Sequence, residues 1–93
     1  MIKIIICSNI RIYREGLASV LSRLDSMQVV GAESRFECAI SKISRACPDV
    51  VLLDMTMDGA FRAARKIIQC YPESKVVALS PPEDEKKVIE CAE

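Results

Sequence analysis

Short runs of apolar residues alternate along the chain with longer segments in which apolar residues recur every three or four positions. This alternation predicts β-strands interleaved with amphipathic helices, as in βα units built around a parallel sheet. The runs predict strands at 3–7, 28–32, 50–54 and 75–79, with a helix in each interval. Two prolines at 81–82, followed by three acidic residues, predict the first turn of a further helix.

The third run ends in a carboxylate. Its four large aliphatic residues, 50–53, predict a strand that is buried on both faces, as is usual in parallel sheets, and Asp54 follows them directly. The carboxyl end of such a strand borders the crevice where open α/β sheets bind ligands. Because a buried carboxylate without partners is costly, Asp54 is the first candidate functional residue.

Composition narrows the class of protein. The 93 residues suggest one small domain, and 51% apolar residues suffice for a core. Thirteen basic and thirteen acidic residues cancel, so the chain has no overall bias toward nucleic acid or membrane. No apolar stretch approaches the roughly 20 residues of a bilayer span, and the apolar start is too short for a signal peptide, which predicts a cytoplasmic protein. Five cations are expected on solvated helix faces: Lys42, Arg45, Arg62, Arg65 and Lys66.

The chain has five cysteines and no histidine. Without histidine, the Ser-His and Cys-His nucleophile systems are excluded, and the absence of a C-x-x-C motif argues against a zinc site. Apolar neighbours predict that each cysteine is a small buried side chain in a reducing compartment. The cysteines are Cys7, Cys38, Cys47, Cys70 and Cys91.

Three stretches, 10–17, 48–54 and 71–80, carry a resemblance to the receiver domain of two-component response regulators. The first, Ile-Arg-Ile-Tyr-Arg-Glu-Gly-Leu, is similar to the first helix of regulators that carry a LuxR-type helix-turn-helix. The resemblance covers all 93 residues in order. It implies a flavodoxin-like, doubly wound parallel α/β sheet of strand order 2-1-3-4 that lacks its last strand and helix. Residues 1–93 would then form an incomplete receiver domain, with an output domain expected beyond residue 93.

The resemblance also implies a site. Receivers of this family accept a phosphoryl group on an aspartate, hold Mg²⁺ with two acidic residues after the first strand, and use a hydroxyl after the fourth and a lysine after the fifth. Asp54 matches the phosphoacceptor, Ser80 matches the hydroxyl, and the carbonyl of Thr56 matches a main-chain metal ligand. The acidic pair falls on Ser8 and Asn9, which carry no charge, and the lysine position lies past residue 93.

Alternatives remain open at these positions. Ser8 and Asn9 are favoured helix N-cap residues, so they are expected to cap the first helix, or Asn9 retains a weak metal contact through its amide oxygen. Asp58 either substitutes for a missing ligand or forms an Asp-Gly turn with Gly59. Weak metal candidates are therefore Asp54, Asn9 and Thr56, and Mg²⁺ is expected only if the site is a working phosphoacceptor.

The expected function is that of a regulatory, non-enzymatic receiver domain that works without phosphorylation and without a cofactor. A homodimer or another protein partner is expected, a histidine kinase is a further candidate partner, and DNA would be bound only by the output domain. One alternative is a conventional receiver that a histidine kinase phosphorylates on Asp54. Another alternative is a flavodoxin-like nucleotide- or flavin-binding enzyme. Two observations argue against it: the loop at 7–10 contains no glycine, and the sequence contains no nucleotide-binding motif.

Overall fold

The computed structural model describes residues 1–79, in which strands and helices alternate as the sequence pattern predicts. Ser80 and the further helix expected from residue 81 lie outside the described residues. The elements in chain order are β1 (Ile2–Cys7), α1 (Arg11–Ser22), β2 (Met27–Glu33), α2 (Phe36–Ala46), β3 (Val50–Asp54), α3 (Ala60–Cys70) and β4 (Lys75–Leu79).

The strands form one parallel sheet in the order β2-β1-β3-β4, which confirms the predicted topology. Cys7 pairs with Leu53 across β1 and β3, and Leu53 pairs with Ala78 across β3 and β4. All four carboxyl ends therefore lie at the same edge of the sheet. The residues that follow β1 and β3 are neighbours at this edge, although they are far apart in sequence.

One face of the sheet carries the core. Ile5 and Val51 pack there with Ile43 of α2 and Ile67 of α3. Closer to the carboxyl edge, a second cluster joins β1 and β3 to both helices, and several of its helical members are alanines, which allow a close approach of helix to sheet. This cluster contains Cys7, Leu53, Met55, Ala39, Ala60 and Ala64.

The opposite face is covered less completely, so the expectation that β3 is buried on both faces is wrong. Val50 and Leu52 are only half-buried, and Val77 of the neighbouring strand is 45% exposed. The reason lies in the position of α1, which packs on β1 and β2. Within residues 1–79, β4 also forms an edge of the sheet.

The expectation that every cysteine is buried is also wrong. Cys7 is buried as predicted, but Cys38, Cys47 and Cys70 are exposed, and Cys91 lies outside the described part of the chain. Cys47 follows the end of α2 in the left-handed conformation, with φ 48°, so its side chain does not share the buried face of the helix. In residues 1–79, no helix has the length and apolar character needed to cross a bilayer.

Candidate functional site

The carboxyl ends of β1 and β3 place Ser8 beside Asp54. The backbone N–H of Ser8 donates to the carbonyl of Glu33 at 3.0 Å, and that of Met55 donates to the carbonyl of Leu79 at 3.0 Å. These bonds extend the sheet pairing by one residue past the strand ends. The main chain on both sides of the site is consequently fixed by the neighbouring strands β2 and β4.

Asp54 is fully buried and accepts three hydrogen bonds. Its Oδ2 accepts from the hydroxyl of Ser8 at 2.8 Å. Its Oδ1 accepts from the backbone N–H of Thr56 at 2.9 Å and from the Thr56 hydroxyl at 2.7 Å. Neither Asp54 nor Ser8 has any accessible surface. A carboxylate oxygen has two lone pairs, so Oδ1 is saturated and Oδ2 has one acceptor position left.

These bonds decide the charge of the carboxylate. Burial acts to raise the pKa of Asp54, but the hydrogen bonds from the Thr56 hydroxyl, the Thr56 N–H and the Ser8 hydroxyl act in the opposite direction. Together they hold the pKa of Asp54 below its ordinary value of 3.8. The side chain is therefore an anion at neutral pH, stabilised by dipoles.

Ser8 is held from several sides. Its hydroxyl oxygen accepts a bond of 3.2 Å from the N–H of Ile10, and its carbonyl oxygen accepts one of 2.7 Å from Nη1 of Arg14. The expected N-cap role is wrong, because Ile10 is the N-cap of α1 and no side chain caps that helix end. The serine hydroxyl is directed to Asp54, and Arg14 ties α1 to the end of β1.

Two contributions to this site were not expected from the sequence. Thr56 contacts Asp54 through its hydroxyl and N–H, whereas the family resemblance implies a role only for its carbonyl. The signal was available, because a carboxylate that accepts from the residue two positions later forms a common turn. The contact of Arg14 with the Ser8 carbonyl has no local signal in the sequence, because nothing near Arg14 indicates which carbonyl its long side chain reaches.

The donor set does not fit a magnesium ion. Mg²⁺ is held in near-octahedral geometry by carboxylates and water. Among residues 1–79, Asp54 is the one carboxylate at the centre of this site, and its Oδ1 already accepts two hydrogen bonds. The side chains of Asn9 and Asp58 are exposed, and within residues 1–79 neither shares a hydrogen bond with Asp54. Over the same residues, no group of three or more acidic, cysteine or histidine side chains could hold a metal ion.

An open concavity of about 650 Å³ lies next to the site, but Asp54 does not line it. Its walls are formed by the loop of residues 55–59 and the start of α3. On the core side, Cys7 is also closed to solvent, and burial, together with the carboxylates of Asp54 and Glu33, raises its pKa to about 12. The thiol is therefore neutral and unreactive at physiological pH.

Comparisons with known proteins give the family. The chain is 34% identical over 87 residues to the response regulator GacA of Pseudomonas syringae pv. syringae, a match that covers 91% of this chain and 41% of that protein. It is 34% identical over 89 residues to the transcriptional regulatory protein DegU of Brevibacillus brevis, covering 94% and 38%. The chain thus spans about two fifths of the length of these curated relatives. No family model matches it.

The fold agrees with these relatives. The signal receiver domain of the response regulator NarL from Mycobacterium tuberculosis superposes with a TM-score of 0.86 at 25% identity, covering 97% of this chain and 74% of that one. The chain belongs to the response-regulator receiver family. The receiver domain of RcsB from Salmonella enterica has the same fold at 17% identity, with a TM-score of 0.85. Both the resemblance and the flavodoxin-like fold predicted from the sequence are confirmed.

Proposed function

We propose that this receiver regulates by protein–protein contact and does not depend on phosphorylation of Asp54. It acts in the cytoplasm, has no enzymatic turnover and requires no cofactor. Its task is dimerisation or control of an attached DNA-binding output domain beyond residue 93. The lengths of GacA and DegU, and the name of DegU as a transcriptional regulator, support the presence of such a domain.

The observation that carries this proposal is the state of the Asp54 carboxylate. Phosphorylation requires an oxygen of Asp54 to attack phosphorus in line, while a metal ion and a cation neutralise the charge on the transferred group. Asp54 is 0% exposed, and its two oxygens accept three hydrogen bonds from Ser8 and Thr56. One lone pair of Oδ2 is not used by these bonds, but the carboxylate is buried, so a phosphodonor could reach it only after the surrounding residues had moved.

The two hydroxyl groups take over the electrostatic task of a metal. Bonds to a carboxylate are charge-assisted and roughly twice as strong as neutral ones, so the hydroxyls of Ser8 and Thr56 stabilise the anion without a second ion. Ser8 stands where the family carries an acidic residue. The replacement changes a carboxylate, which would repel Asp54, into a donor that binds it.

Surface association is the remaining way to signal. The half-covered sheet face and the edge strand β4, with Val77 45% exposed, provide apolar surface for a second copy of the chain or for the output domain. A homodimer is the simplest arrangement. The alternative, favoured by the family alone, is a conventional receiver that a histidine kinase phosphorylates on Asp54.

One experiment separates these functions. The purified chain is incubated with acetyl phosphate and MgCl₂, and intact mass is followed over time for the native protein and for Asp54→Asn. We expect no phosphoryl adduct specific to Asp54. Rapid addition of one phosphoryl group to the native chain, absent from Asp54→Asn, contradicts the proposal and establishes the conventional receiver.

A matched variant guards against a trivial negative result. In Ser8→Asp with Asn9→Asp, the two acidic positions of the family are restored, and this variant is treated with the same donor. Dispersed amide resonances show that each protein is folded. If the double variant gains a phosphoryl adduct that the native chain lacks, the replacement of the acidic pair explains why the native Asp54 is not phosphorylated.

A further inference from the structure

A groove of about 550 Å³ lies between α2 and α3 and is also lined by Gly59, which precedes α3. Its apolar lining comes from Phe36 and Ile40 of α2 and from Ala63 of α3. Phe36 and Ile40 are only half-buried, so the apolar surface is accessible. A volume of this size lies within the range of small-molecule sites, which combine an apolar lining with a few polar groups.

The rim of the groove carries an excess of positive charge. Arg62 and Lys66 lie one turn apart on α3, line the groove and are exposed. Neither forms an ion pair within residues 1–79. On the opposite wall, Glu37 is already 3.6 Å from Arg35. Its charge is thus partly matched, and the two cations of α3 are left to face the groove.

We propose that this groove binds a small amphipathic anion, with a carboxylate as head group and an apolar body of a few carbon atoms. The body packs on Phe36, Ile40 and Ala63, and the head pairs with Arg62 and Lys66. A guanidinium and an ammonium on adjacent turns both attract a carboxylate, and the adjoining apolar surface strengthens the attraction by excluding water. An inorganic anion lacks the body, and an uncharged molecule lacks the head.

The groove borders the loop that follows Asp54, which supplies a spectroscopic reporter. Gly59 lines the groove with φ 80°, and a Cβ at this position would lie 3.8 Å from the Phe36 ring. Any ligand that rests on Phe36 therefore alters the magnetic environment of the Gly59 amide. Anion binding in this groove does not depend on whether Asp54 is phosphorylated, so the binding proposal is independent of the proposed function.

The test is a titration of the ¹⁵N-labelled chain with octanoate, followed by amide chemical shifts. Acetate and octan-1-ol serve as probes that lack the body and the head. We expect saturable shifts at Gly59 and at groove residues of α2 and α3, with affinity for octanoate at least about tenfold above that for either comparison probe. Equal affinity for octan-1-ol, or shifts confined to other surfaces, overturns the proposal.

Variants localise the site. Arg62→Gln with Lys66→Gln should weaken octanoate binding by about tenfold, equivalent to roughly 1.4 kcal/mol. The matched control is Arg65→Gln, on the same helix but not in the groove lining. Ser41→Phe should fill the groove and abolish binding, whereas Ser44→Phe, exposed on α2 outside the lining, should leave it intact. Unchanged binding in either groove variant sinks the assignment.

Discussion

The hydroxyl of Ser8 donates a 2.8 Å hydrogen bond to Oδ2 of Asp54, from a residue 46 positions earlier in the chain, and both side chains are buried. The bond links the carboxyl ends of β1 and β3 at a point where the sheet pairing itself ends. It is at once a tertiary contact and a constraint on the charge of the carboxylate. Ser8 is therefore the residue on which the site is most simply tested.

Ser8→Ala should lower the free energy of unfolding by about 2 kcal/mol, because it removes a hydrogen bond to a charged group in a buried place. It should also raise the pKa of Asp54, since one of the bonds that favour the anion is lost. Urea denaturation measures the first effect and titration of the carboxyl carbon by NMR the second. The matched control is Ser19→Ala, which removes an exposed hydroxyl of α1. A loss no greater than in this control contradicts the assignment.

The contribution of Asp54 to stability should disappear in acid. The pKa of Asp54 in the folded chain lies below its ordinary value of 3.8, so its stabilisation is complete above the unfolded pKa and is lost as pH falls through the folded one. Urea denaturation of the native chain and Asp54→Asn across this range compares their free energies of unfolding. The difference in the free energy of unfolding between the native chain and Asp54→Asn should be constant near neutral pH and should shrink below pH 3.8. If this difference instead shrinks as pH rises, the pKa of Asp54 is shifted in the opposite direction and the prediction is wrong.

Restoring acidic residues should create a response to magnesium. In Ser8→Asp with Asn9→Asp, a second buried carboxylate next to Asp54 lowers stability through repulsion, and Mg²⁺ relieves that repulsion. The melting temperature of this variant should rise with MgCl₂ at constant ionic strength, as expected for a ligand that binds only the folded state. The native chain should show no rise. A native chain that is stabilised as strongly as the variant would mean that the hydroxyl site does hold the ion.

Thiol reactivity should separate buried from exposed cysteines. At pH 8, iodoacetamide should label Cys38, Cys47 and Cys70 readily, because they are exposed. Cys7, with its pKa raised to about 12, should react at least roughly a thousandfold more slowly. Peptide mass spectrometry resolves the sites, and labelling in urea provides the control, since unfolding should remove the difference. Comparable native rates for Cys7 and Cys70 would contradict the buried position of Cys7.

Much of the fold follows from local pattern. The bounds of β3 and β4 agree with the prediction, β1 begins one residue earlier than predicted, and β2 is longer by one residue at each end. The agreement is close because continuous apolar runs bounded by polar residues define strands well. The prediction that the cysteines are buried was wrong for Cys38, Cys47 and Cys70, because apolar neighbours in the sequence do not define which side of a helix a residue occupies. A residue beside apolar neighbours in a helix need not share their face, and Cys47 leaves the helix altogether through a positive φ.

The site was harder to predict, since its contacts are tertiary. Ser8 next to a helix start satisfies the local rule for a cap, but its hydroxyl is used by Asp54 from a strand that no local rule connects to it. Family resemblance singled out Asp54, Ser8 and Thr56 and implied metal-related roles for them, and the structure brings the three residues together. Only the three-dimensional arrangement shows that the hydroxyls themselves bind the carboxylate.

Arg14 adds a mechanical consequence to this arrangement. Its guanidinium donates a hydrogen bond to the carbonyl of Ser8, and the hydroxyl of Ser8 donates one to Asp54. Ser8 therefore connects α1 to the buried carboxylate. A displacement of α1 would move Ser8 and weaken its hydrogen bond to Asp54. A change at Asp54 would in turn affect the contact between Ser8 and Arg14. The position of α1 and the hydrogen bonding of Asp54 are therefore expected to change together.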